Sequence, residues 1–244
     1  MAVDKDLDRV DREILRLISV DASLSLADIA TKVGLTPTPC WKRIRRMEQD
    51  GIIQRRVAIL DADKVGLPVS VFVAVETADH SSEWLGRFAE VVKNTPAIVD
   101  AWRMSGDVDY LLHVVVADIA TKVGLTPTPC WKRIRRMEQD GIIQRRVAIL
   151  DADKVGLPVS VFVAVETADH SSEWLGRFAE VVKNTPAIVD AWRMSGDVDY
   201  LLHVVVADIA AYDHFYRKLI AAIPLRNVSS RFSMERMKAA PLPV

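Results

Sequence analysis

Cysteine is almost missing from this sequence: 244 residues hold two, Cys40 and Cys130. Both occupy the same position in two identical stretches, which excludes a disulfide framework and points to a reducing, cytoplasmic compartment. Cys40 reads as a small core residue. Long apolar runs are missing as well. The richest, Val65 to Val75, contains Pro68 and Ser70 and is too short to span a bilayer, so no membrane partner is expected. The opening MAVDKDLDRVD is acidic and lacks the apolar centre of a signal peptide. Net charge is −1, so any nucleic-acid binding must come from a local patch. The sequence has no metal-ligand spacing, no phosphate-cradling glycine loop and no nucleophile–base pair. No catalytic residue, metal or cofactor is therefore expected, and the chain does not read as an enzyme. Apolar residues are plentiful at 50%, enough to bury a real core.

A repeat dominates the organisation. Residues 27–120 recur unchanged as 117–210, and Ala-Asp-Ile-Ala stands at 27, 117 and 207. The unit is too long for a solenoid repeat. Its perfect identity points to a recent or artificial event, such as recombination across the shared tetrapeptide. With one unit removed, a single uninterrupted pattern remains.

Asp8 caps a helix over Arg9 to Val20 with Val10, Ile14, Leu17 and Ile18 as its inner face. Ser25 caps a short helix ended by Gly34, with Asp28 completing a box-like start. Next comes TPTPCWKRIRRMEQDG, Thr36 to Gly51, repeated at Thr126 to Gly141. Thr36 suits the N-cap and Pro37 the first helical position. Cys40, Ile44 and Met47 form one stripe. Thr38, Lys42, Arg45, Arg46 and Gln49 face the other way, with Trp41 on the flank. A solvated charged face is the plain reading of such a run. Three short helices, the last two joined by a tight glycine turn, make a helix-turn-helix plan, which favours DNA. Arg55 and Arg56 follow in an extended segment, Ile52 to Leu60, where a wing or hinge strand meets phosphates.

The second part alternates as β-α-β-β-α-β: a strand from Val69, a helix with Trp84, Phe88, Val91 and Val92 on one face, strands Ile98–Met104 and Tyr110–Val116, a helix capped by Asp208, and a strand over Val228 to Met237. The His80-Ser81-Ser82-Glu83 cluster reads as a helix cap. His113 reads as a buried, hydrogen-bonded residue of its strand. The Ser105–Asp109 stretch reads locally as a hairpin turn. Tyr110 to Val116 is apolar almost throughout, so both sheet faces should be covered, one by helices and one by a partner sheet. A homodimer or higher homo-oligomer is expected. The fold class is α/β (α+β): an N-terminal winged helix-turn-helix plus a C-terminal ferredoxin-like βαββαβ unit, interrupted by the duplicated segment.

The strings LDRVDREIL, VGLTPTPCWKRIRRMEQDGII and MSGDVDYLLHVVV together resemble the Lrp/AsnC (feast/famine) family of transcriptional regulators, and HSSEW and WRMSGDVDYL resemble its cysteine-responsive branch. The resemblance implies sequence-specific binding to double-stranded operator DNA, a small amino-acid effector with cysteine the first guess, and a nucleoid-associated protein. Carried over by residue, the DNA face is Thr36, Thr38, Trp41, Lys42, Arg45 and Arg46, with Arg43, Arg55 and Arg56 on phosphates. The effector loop is Gly106, Asp107, Val108, Asp109 and Tyr110, and its copy Gly196, Asp197, Val198, Asp199 and Tyr200. There, backbone N–H groups would hold a carboxylate and an aspartate would meet an ammonium.

The duplication departs from that family. Residues 1–56 form a complete DNA-binding domain, 57–116 an incomplete sensor copy, 117–146 a helix-turn-helix copy without its first helix, and 147–244 a complete sensor and dimerisation domain. The alternative arrangement is an intramolecular pair of sensor units. Functionally, the alternatives are an amino-acid-binding sensor whose DNA binding is impaired by the duplication, and an enzyme regulated by such a sensor.

Overall fold

The computed structural model describes residues 7–67, 69–116, 139–140 and 143–240. Most of the expected 117–146 unit, with nearly all of the second basic helix, lies outside them.

Helix α1, Arg9–Val20, starts on a full capping box between Asp8 and Asp11. Its buried stripe is Asp11, Ile14, Leu15 and Ile18, whereas the expected Val10 and Leu17 are half-buried. The stripe is turned because Asp11 goes inward to meet two arginines of α3. Helix α2, Leu26–Lys32, is capped by Ser25, which accepts from the Asp28 amide. Helix α3, Pro37–Gln49, buries Cys40, Ile44 and Met47. Thr36 takes the N-cap position without a side-chain cap hydrogen bond. Pro39 sits at the third helical position and has no N–H to offer a capping oxygen. Gly51 leaves α3 at φ 67°, a left-handed exit that suits glycine.

Strand β1, Ile53–Leu60, pairs antiparallel with its own copy, β5, Ile143–Leu150. Val57 lies opposite Val147, Arg56 opposite Ala148 and Ala58 opposite Arg146, so the ribbon is symmetric about one valine pair. The expected boundaries at 56 and 146 fall inside these strands. The first helical unit also draws on the second copy for its core, packing against Ala148, Leu150 and Val155. Lys154 Nζ donates to the Asp50 carbonyl at 3.0 Å, and Lys64 Nζ to the Asp140 carbonyl at 2.9 Å, the same crossed contact made twice.

The remaining strands form one sheet. The first copy contributes β2 (Val69–Val75), α4 (Ser82–Asn94), β3 (Ile98–Met104) and β4 (Tyr110–Val116). The second contributes β6 (Val159–Glu166), α5 (Ser172–Lys183), β7 (Ile188–Arg193), β8 (Tyr200–Val206), α6 (Ile209–Ala222) and β9 (Asn227–Ala239). The order is β2-β4-β3-β9-β6-β8-β7. Its β9-β6-β8-β7 part is the complete ferredoxin-like unit. Strand β9 is divided: Asn227 to Ser233 pair with β6, and Ser233 to Ala239 pair with β3 of the first copy.

One face of the complete unit packs Val161, Val163, Val165, Leu202 and Val204 against Trp174, Phe178, Tyr212, Phe215 and Leu219 of its helices. The other face meets the first copy. Phe162 stacks on His203 at 4.7 Å and meets Trp102 of the other copy edge-on at 4.7 Å. Phe72 repeats this with His113 at 4.6 Å and Trp192 at 4.7 Å. The partner sheet expected from a second chain is therefore supplied within this one, and the intramolecular pair is the arrangement found. His113 is hydrogen-bonded as expected, its Nε2 lying 2.6 Å from Ser70 Oγ, but is half-buried instead of buried. Val91 departs from the expected apolar face and is 61% exposed, because the helix that covers Val181 in the complete unit has no counterpart beside α4 among the described residues.

Candidate nucleic-acid interface and sensor loop

Burying Cys40, Ile44 and Met47 fixes the rotation of α3, and its opposite face meets solvent. Burial in that packing pushes the Cys40 thiol pKa up, in keeping with an inert core residue. Thr36, Thr38, Trp41, Lys42 and Arg45 are exposed together. The Arg45 guanidinium lies 5.7 Å from the Trp41 ring centroid, so a flat cationic and aromatic surface is presented along one side.

Arg45 also lies 3.9 Å from Glu48 on the same helix, an exposed pair of little strength, and the other predicted cations are engaged more closely. Arg43 pairs with Asp8 and, at 2.9 Å, with Asp11, and Arg46 also pairs with Asp11. Asp11 is fully buried, so it needs both partners. Arg56 is 2.9 Å from Glu48, and Arg55 donates to the Ala239 carbonyl at 2.8 Å. These four side chains hold the helical unit together and join it to the sheet. Sequence reasoning missed Asp11 as their anchor. The signal was present: Asp11, Ile14, Leu15 and Ile18 follow i, i+3, i+4, i+7, which places an acid on the inner stripe.

The two sensor loops are built alike. Gly106 and Gly196 take φ 101° and 110°, which a side chain would resist. Asp109 Oδ2 accepts from the Thr77 amide at 2.8 Å, and Asp199 Oδ2 from the Thr167 amide at 2.8 Å, so these carboxylates clamp neighbouring loops. Val108 is buried at the seam between the copies, in a cluster with Phe162, Ala164 and Leu201, and Val198 packs against the same cluster. Tyr110 and Tyr200 depart from the expected role. They are buried against Phe88 and Phe178, each at 4.5 Å, because strand alternation sends Tyr200, Leu202 and Val204 to the helix-covered face. Asp107 and Asp197 are exposed beside the seam. A separate cleft of about 570 Å³ lies between α5 and α6, and no loop residue lines it.

A winged helix-turn-helix joined to a ligand-binding βαββαβ unit defines a class of one-component transcriptional regulators. The Lrp/AsnC ligand-binding domain matches residues 70–121 and 160–243, and a winged helix-turn-helix DNA-binding domain matches 7–54 and 115–144. The chain belongs to the Lrp/AsnC family. It is similar to the glutamate uptake regulatory protein of Zymomonas mobilis, 43% identical over 141 residues, covering 55% of this chain and 86% of that protein. It is also similar to the DNA-binding transcriptional activator DecR of Escherichia coli, 49% identical over 121 residues, covering 49% and 80%. Among solved structures, the siroheme decarboxylase NirDL shares the fold, with a TM-score of 0.61 at 12% identity, covering 95% of this chain and 93% of that one.

Proposed function

We propose that this chain is an amino-acid-responsive DNA-binding regulator, not an enzyme, in which the first helix-turn-helix reads the operator. The observation that carries this is the division of labour on α3. Arg43 and Arg46 are spent on Asp11, while Thr36, Thr38, Trp41, Lys42 and Arg45 share the exposed side. A helix anchored by some cations and presenting others suits insertion into a major groove. The protein is placed in the cytoplasm at the nucleoid. Higher assemblies form from chains that each enter with their sensor units already paired.

Fluorescence anisotropy on the promoter fragment upstream of the gene tests this. Lys42→Ala with Arg45→Ala should abolish specific binding and flatten the log–log salt slope by about 0.9 for each phosphate no longer neutralised. Lys132→Ala with Arg135→Ala should leave most of the binding. Equal losses from the two pairs would mean that both copies dock.

The effector site is placed at the seam, where Gly106 and Gly196 amides and the Asp107 and Asp197 carboxylates suit the two charged ends of a small amino acid, cysteine first. Calorimetry should give saturable heat with one common amino acid and a weaker response from Asp197→Ala. No heat with any of them would remove this assignment.

A further inference from the structure

The duplication provides its own control, because identical side chains sit in two units and only one unit has the arm 207–240. Val161 and Val163 are fully buried, while their copies Val71 and Val73 are 41% and 38% exposed. Helix α6 makes that difference, packing Tyr212, Phe215 and Leu219 over the complete unit. Trp174 is buried and donates Nε1 to the Pro224 carbonyl at 3.0 Å, whereas Trp84 is half-buried. The other end of the arm leaves the complementary mark. Asp100 pairs with Arg236 and its side chain is 20% exposed, while that of Asp190 is 60% exposed. Strand β9 makes this second difference, since its far half covers β3 and nothing corresponding lies on β7 among the described residues.

The pseudo-twofold relation turns β9 into a strand that would pair first with β2 and then with β7. Among the described residues both are outer strands of the sheet, and no strand pairs with their outer edges. We propose that these edges form one slot, which takes from another polypeptide an amphipathic helix followed by an extended strand with the chemistry of residues 207–240. Edge amides and carbonyls give such a strand its main-chain bonds, and alternating apolar positions fix its register. Charge fixes the far end. Arg236 answers Asp100, and Lys238 Nζ donates to the Val92 and Thr95 carbonyls at 2.7 and 2.8 Å. The donor strand therefore carries two cations two residues apart, the first opposite Asp190. A second copy of this chain is not the donor. Each copy brings one arm and two slots, and its own arm is already seated, so exchange moves the slot without filling it.

The test adds a synthetic peptide of residues 207–240 to the full chain. The expected result is saturable one-to-one binding with a blue shift of tryptophan emission that Trp84→Phe removes. New hydrogen-exchange protection should appear at Val69–Val75 and Ile188–Arg193. A peptide with Arg236→Glu and Lys238→Glu should bind at least tenfold more weakly, and Asp190→Arg in the chain should recover part of the loss. Val71→Lys in the chain should abolish binding with an unchanged circular dichroism spectrum. Absence of binding overturns the proposal. Edge amides already protected in the free chain overturn it too, since the slot would be filled from within. So does protection that grows with chain concentration alone, since a second copy would then be the occupant.

Discussion

Asp8 and Asp11 show how one turn of helix settles the use of a distant basic face. Asp8 is held below the ordinary carboxylate value, first by the hydrogen bond from the Asp11 amide and then by Arg43. A lowered folded-state value means that the carboxylate stabilises the fold above its unfolded value of 3.8 and loses that contribution as pH falls through the lower one. Asp8→Asn keeps an N-cap acceptor and removes the charge. Hydrogen exchange of the α1 amides should show the variant less protected than the parent at pH 7. The gap should close as both are taken from about pH 4 downward. A gap that stays constant across that range would mean that the charge of Asp8 contributes nothing.

Elements repeat in this chain while their surroundings do not, so the same mutation made twice measures the surroundings. Trp174→Ala should cost about 3–5 kcal/mol, the usual range for a buried aromatic. Trp84→Ala should cost about half of that or less, because its ring is only half-buried and lacks the bond to a Pro224 counterpart. Urea unfolding of the two variants compares them, and equal losses would show that the first unit is as well covered as the second. The same contrast explains what the sequence could disclose. Caps at Asp8, Ser25, Ser81 and Asp208 were legible because each acts on an amide three residues away. The βαββαβ order was legible from strand alternation. The missing Thr36 cap was legible in principle, since Pro39 is visible. The inward turn of Asp11 was legible from its place on the inner stripe of α1, but not its pairing with Arg43 and Arg46, which lie 32 and 35 residues on with no local sign of the contact. The sharing of β9 between two copies was hidden for the same reason, since strand pairing over such separations has no local signature. At the candidate site the basic helix and the glycine loops were legible. Which cations were already paired, and that Tyr200 turns inward, depended on packing.

On the scale of the whole molecule, two sensor units and a symmetric ribbon are joined in a single covalent chain. Val57 lies opposite Val147, and Phe72 and Phe162 each meet the tryptophan of the other copy. A regulator made of separate subunits must first find its mate, and at low copy number much of it remains single. Here the mate is tethered, at an effective concentration on the order of millimolar. Gene dosage therefore acts differently on this regulator. Promoter occupancy should rise with the first power of total protein down to the smallest amounts, where an untethered pair would fall away with the square. An anisotropy titration carried into the low nanomolar range should follow a simple hyperbola, and a sigmoid onset would show that a further chain has to be recruited before the promoter is held.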